Sequence, residues 1–128
     1  MLMSMIRRVV LAVSLAIVTA PYASAQPALP ETQVGKLAAL YFDANNSLDP
    51  DRLAAFLTAH LPAGLANPQF PEVQQSGGGF DVLSVDKTTE DRLTLTVRTR
   101  KTDIQYRMIF ILDGEDAQKL RLIGMGFF

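Results

Sequence analysis

Cysteine and tryptophan are absent from these 128 residues, and histidine occurs once. Without cysteine there is no disulfide, no thiolate nucleophile and no thiolate metal ligand, so packing must hold the fold together even in an oxidising compartment. A lone histidine, His60, excludes a multi-histidine metal centre. No Gly-x-Ser-x-Gly elbow accompanies it, so a Ser-His-Asp triad has no support. A strong charge of either sign is missing as well. Twelve basic against 13 acidic residues offer no electrostatic footprint for nucleic acid or another polyanion. The apolar run from Val9 to Ala20, about 12 residues, falls short of the roughly 20 that a helix needs to cross a bilayer.

That run is part of an address. Arg7 and Arg8 precede it and Ala23-Ser24-Ala25 follow it, which is the basic, apolar and small-residue order of a secretory signal peptide cut between Ala25 and Gln26. Ile6 before the arginine pair and Val9-Val10-Leu11 directly after it point to general secretory rather than twin-arginine export. No cysteine follows, so lipoprotein processing is excluded. The expected product is exported, periplasmic or extracellular, with no stable membrane span after cleavage. Removal of Arg7 and Arg8 leaves 10 basic against 13 acidic residues, a mild acidity that favours solubility. The remaining length, about 100 residues, suits one domain with a modest core.

Residues 26–31, with Pro27 and Pro30, read as an extended tether ahead of a single domain over 32–128. The spacing predicts a helix over 32–44. Thr32 caps it, and Val34, Leu37, Ala38, Tyr41 and Ala44 share a face, before Asn45-Asn46-Ser47 end it. A second helix starts at Asp49 (N-cap) and Pro50 (first helical position), with Asp51 favoured by the helix dipole. Leu48 is placed to staple onto Leu53, the apolar stripe is Leu53, Phe56, Leu57 and Leu61, and Pro62 is the stop. Residues 63–79, with Pro68, Pro71 and Gly77-Gly78-Gly79, read as a loop with at most a short helical turn.

Beyond Gly79 the period becomes two. Strands are expected over 80–85, 92–100, 104–112 and 120–127, joined by short polar connections of hairpin length, which implies an antiparallel meander. Leu93, Leu95 and Val97 share a face in the second strand; Ile104, Tyr106, Met108, Phe110 and Leu112 share one in the third. In the fourth, Leu120 and Leu122 fall on one parity and Ile123, Met125 and Phe127 on the other. Either a bulge re-registers them, with Gly124 and Gly126 marking a bend, or both faces are buried. Phe127-Phe128 reads as an edge packing on a helix or as a docking surface. Helices first and strands after give an α+β fold, with the helices covering the dry face of the sheet.

Candidate chemistry is sparse. Ser84-Val85-Asp86-Lys87 matches the Ser-x-x-Lys nucleophile motif, but that chemistry needs one helical face; in a strand, positions i and i+3 point to opposite sides. Asp43-Ala44-Asn45-Asn46-Ser47 opens like an EF-hand loop, yet its sixth position is Leu48 and its twelfth Ala54. His60 at a helix C-terminus suits a dipole partner. Gly77-Gly78-Gly79 lacks the lysine and helix of a phosphate loop. Arg98, Arg100, Lys101 and Arg107 read as a solvated strand face. The one constellation with reactive potential is Tyr41, Asp43 and Tyr106, a tyrosine–carboxylate set suited to proton transfer if a helix and the sheet enclose a pocket around it. No cofactor or metal is implied.

Several segments together carry a resemblance: Asn46-Ser47-Leu48-Asp49-Pro50, Leu53-Ala54-Ala55-Phe56, Gly78-Gly79-Phe80-Asp81-Val82-Leu83-Ser84-Val85, the Leu-Thr-Val-x-x-Arg-like strands and the closing Leu122-Ile123-Gly124-Met125-Gly126. They resemble a small accessory domain that follows the signal peptide in secreted bacterial serine hydrolases, both tail-specific-protease-like and β-lactamase-related. The resemblance covers roughly residues 34–127. It implies a cystatin-like or nuclear-transport-factor-like fold, with helices on a curved four-stranded antiparallel meander. It carries over no catalytic residue. The functional expectation is an exported non-catalytic domain that binds a protein partner or a small ligand. The alternatives are a small pocket enzyme of ketosteroid-isomerase-like type and the truncated front end of a secreted hydrolase.

Overall fold

A computed structural model of the chain describes residues 27–62 and 69–127. The signal peptide with its Ala25–Gln26 cleavage site, residues 63–68 and Phe128 lie outside the described residues. Among the described residues three helices pack with one four-stranded antiparallel sheet, an α+β arrangement.

Helix α1 spans Gln33–Asn46. Thr32 caps it in an extended conformation, its hydroxyl oxygen accepting from the Gly35 amide at 3.2 Å. Val34, Leu37, Ala38, Tyr41 and Ala44 are buried as the spacing predicts, and Phe42 is buried beside them. The helix runs two residues past its expected end, and its last residue, Asn46, has a tertiary partner, whereas the Asn45 side chain reaches only Asn46 at 3.4 Å. The Asn46 side chain donates to the Phe80 carbonyl at 3.0 Å and accepts from the Phe80 amide at 2.8 Å. It thereby imitates a strand neighbour, and the side chain that would otherwise compete with the helix backbone is occupied elsewhere.

Helix α2, Pro50–His60, starts as expected, with Asp49 accepting from the Asp51 amide at 2.9 Å and Pro50 in the first turn. Leu53, Phe56, Leu57 and Leu61 are buried. Leu48 makes little of a staple: it is 44% exposed at φ 60°, and its carbonyl accepts from the Gln75 side chain at 3.1 Å.

The loop expected over 63–79 is corrected in its second half by a nine-residue helix, α3, Gln69–Gly77. Pro71 is compatible with it because it lies in the first turn, where a missing amide leaves no helical carbonyl unpaired. Phe70 and Val73 turn toward the core, and Gln74 is fully buried. The Gln74 amide nitrogen donates to the carbonyls of Ala44 (3.4 Å), Asn45 (3.2 Å) and Asp49 (3.1 Å). One side chain thus serves carbonyls at the C-terminal end of α1 and the N-cap of α2. Gly79, at φ 97° and with the Asn46 carboxamide oxygen 3.1 Å from where a Cβ would sit, favours glycine.

Strands β1 (Phe80–Thr88), β2 (Arg92–Thr99), β3 (Gln105–Leu112) and β4 (Leu120–Gly126) follow in the order of the chain. β1 extends three residues beyond its expected end. Register shifts between Val82 and Ser84 and between Val85 and Lys87 break its alternation, which is why a period-two reading stops early. β3 begins at Gln105; Ile104 lies in the preceding turn and is 40% exposed, so it leaves the face assigned to it. In β4 the parity conflict resolves by a bulge. Leu120 pairs with Leu112 and Leu122 with Ile111, leaving Arg121 as the extra residue. Leu120, Ile123 and Met125 then share the helix-facing side with Leu112, Phe110 and Met108.

The core lies between that side of the sheet and α1 and α2. It joins Leu93, Leu95, Val97, Met108, Phe110 and Leu120 to the apolar faces of the two helices. Leu29 packs against it too, and a Cβ at Gly35 would overlap the Pro30 carbonyl, so this part of the extended segment ahead of α1 lies against the helix. Phe110→Ala should cost about 3–5 kcal/mol by urea denaturation, because it opens a cavity under two aromatic neighbours. Leu40→Ala, at a position 49% exposed, should stay within roughly 0.5 kcal/mol of the parent.

Candidate functional site

α1, the end of α2, α3 and the β3–β4 edge of the sheet leave a half-open groove of about 300 Å³. Its walls are Tyr41 from α1, Leu61 after α2, Gln69, Phe70 and Val73 from α3, Met108 from β3, and Leu122, Ile123 and Met125 from β4. Seven of these nine side chains are aliphatic, thioether or phenyl groups, so most of the wall is apolar.

Tyr41 occupies a special position in it. Its ring meets Phe42, Phe56, Phe70 and Phe110 edge-on, with centroids 5.3–6.3 Å apart. Such contacts each add about 0.5–1.5 kcal/mol beyond burial of area. The residue is 1% exposed. Burial pushes the phenol well above its ordinary value of 10.0, with no hydrogen bond contributing. A phenol held neutral in this way can donate or accept a hydrogen bond but is a poor proton-transfer group near neutrality.

The three residues singled out for proton transfer do not come together. Asp43 is on the solvent side of α1, its side chain 72% exposed and paired with Arg52 at 2.7 Å. Tyr106, on β3, is half-buried against Phe127 with centroids 5.0 Å apart. Only Tyr41 lines the groove. Phe127 itself is 77% exposed and stacks on this strand residue rather than on a helix.

The remaining motifs have structural partners. Within β1 the Ser84 hydroxyl donates to the Asp86 carboxylate at 2.6 Å, and the Thr96 hydroxyl does so at 2.7 Å. These bonds, aided by Arg107, hold Asp86 below its ordinary range, so the Ser84 hydroxyl is engaged by a carboxylate rather than by Lys87. Arg98 and Arg100 pair with Asp81, and Arg98 also with Asp103. His60 ends α2 with Nδ1 2.7 Å from the Gln118 carbonyl and its ring over Phe56. Together with a bond from Gln33 to the Ala117 carbonyl at 2.6 Å, it ties the β3–β4 turn to the helices.

The α3 residues were missed by sequence reasoning. Phe70 and Val73, three apart, are a helical signal, but the prolines around them read as loop. No helix among the described residues is long and apolar enough to cross a membrane. No protein family, curated protein or solved structure matches the chain.

Tyr41→Phe removes a desolvated hydroxyl and keeps the ring contacts, so stability at neutral pH should be unchanged or higher by about 1 kcal/mol in urea denaturation. The folded phenol titrates above the unfolded one. Stability from this group is therefore fully present below pH 10 and lost as pH rises through the folded value. Tyr41→Phe should flatten that alkaline loss, read as the pH dependence of the denaturation midpoint.

Proposed function

We propose that the chain is exported, cut between Ala25 and Gln26, and acts as a non-catalytic binding domain. Its groove takes a small, largely apolar ligand, or an apolar side-chain cluster of a protein partner, with the Tyr41 hydroxyl as the polar contact. The observation that carries this reading is the groove: about 300 Å³ of mostly apolar wall beside one neutral phenol, a size and composition within the range of small-molecule sites. A proton-transfer enzyme would need a carboxylate beside the phenol, and the pairing of Asp43 with Arg52 on the outside of α1 favours binding over catalysis. The helices-then-meander order is also what supports a cystatin-like or nuclear-transport-factor-like fold. We read the domain accordingly as a relative of the accessory domains of secreted hydrolases.

Decanol tests the binding reading. It should raise the melting temperature of the exported domain in a saturable manner. Tyr41→Phe should weaken it roughly fivefold, the equivalent of one ordinary hydrogen bond. Met125→Trp, at the 41%-exposed rim, should reduce it further by filling the groove. A wild-type melting temperature unmoved by decanol up to its solubility limit would contradict the proposal. N-terminal sequencing of the secreted product checks the cleavage site.

A further inference from the structure

The two edges of the sheet differ. β1 is guarded in the ways that prevent strand addition: two register shifts interrupt it, and Asp81, Asp86 and Lys87 lie along it. β4 is not. After the bulge at Arg121 its residues 122–126 pair with β3 without interruption and carry no charge. Three of the six exposed large hydrophobic side chains among the described residues, Leu122, Met125 and Phe127, lie on it or next to it.

We infer that β4 pairs with β4 of a second copy of this chain, antiparallel about a two-fold axis through Gly124, joining two four-stranded sheets into one. The register follows from the backbone. The Leu112 amide donates to the Asp91 carbonyl on the β2 side, so the alternate β3 residues Arg107, Ile109 and Ile111 present their amides and carbonyls to β4. Their partners Gly126, Gly124 and Leu122 are thereby satisfied. The backbone groups of Ile123 and Met125 point away from the sheet, with no partner among the described residues. A two-fold axis at Gly124 sets Ile123 against the second copy's Met125, and Met125 against its Ile123, which satisfies all four groups in each chain. Gly124 then meets its own counterpart at a non-hydrogen-bonded pair, where side chains approach most closely and glycine has none to clash. Arg121, the nearest charge, comes level with the second copy's Phe127 rather than with itself. A second copy is therefore the occupant that the strand's own pattern fits. The inference does not depend on the groove's ligand, although Ile123 and Met125 line both.

Sedimentation velocity of the exported domain without ligand should show a reversible change from one to two chain masses as concentration rises through the micromolar range. At Gly124 the nearest atom to an added Cβ is Leu122 Cδ2 at 3.9 Å, so Gly124→Lys is accommodated in the single chain. It opposes two ammonium groups in the pair, and should give one chain mass throughout with an unchanged far-ultraviolet circular dichroism spectrum. Since the chain has no cysteine, Gly124→Cys should oxidise to a disulfide-linked dimer, and Arg121→Cys should do so at least tenfold more slowly. A wild-type protein that stays at one chain mass overturns the inference, whether or not decanol binds. So does Gly124→Lys dimerising like the wild type, or Arg121→Cys linking as fast as Gly124→Cys.

Discussion

The burial of one face of α1 is the constraint on which the molecule depends. Tyr41 and Phe42 press onto Phe110 in the middle of β3, and Phe42 also meets Phe80 at the start of β1. On its other flanks Tyr41 touches Phe56 of α2 and Phe70 of α3. One helix therefore brings together every layer of the domain. With no disulfide and no metal cluster among the described residues, this aromatic contact carries much of what must offset the entropy of ordering the chain. The polar bonds at the end of α1 complete it. Asn46 fixes where β1 begins, and Gln74 fixes how α3 lies across the α1–α2 corner.

Much of this architecture is legible in the residues, and the exceptions have physical causes. The start of α2 is legible because Asp49 and Pro50 act locally, through bonds to their own helix. β2 and β3 are legible because Leu93, Leu95 and Val97, like Met108 and Phe110, alternate without interruption. α3 is hidden because proline reads as a breaker unless its position in the first turn is known. The tail of β1 is hidden because bulges alter the period that announces a strand. The two extra residues of α1 depend on Phe80, 34 positions away from Asn46, and a contact of that kind leaves no local trace.

The site was legible to a lesser degree. Tyr41 was found because its helical position places it inward, and a buried phenol is a polar group that calls for an account. Asp43, two residues on, turns by the helical period to the opposite side, where Arg52 one element away meets it. Tyr106 shares a face with Met108 and Phe110 but lies nearer the end of the strand, where the helical cover thins and Phe127 takes its place. The groove is consequently a product of packing: α3 and β4 supply walls that no motif foretells. What packing leaves is an incompletely covered apolar surface beside the aromatic cluster of Tyr41.

Aromatic nuclear Overhauser spectroscopy of the domain at neutral pH tests the arrangement of that cluster most directly. The account predicts cross-peaks from the Tyr41 ring to Phe42, Phe56, Phe70 and Phe110 at once, since their centroids lie within 6.3 Å. A Tyr41 ring that shows no cross-peak to Phe110, or that is freely accessible to a soluble paramagnetic probe, would contradict the packing from which both the fold and the groove are derived.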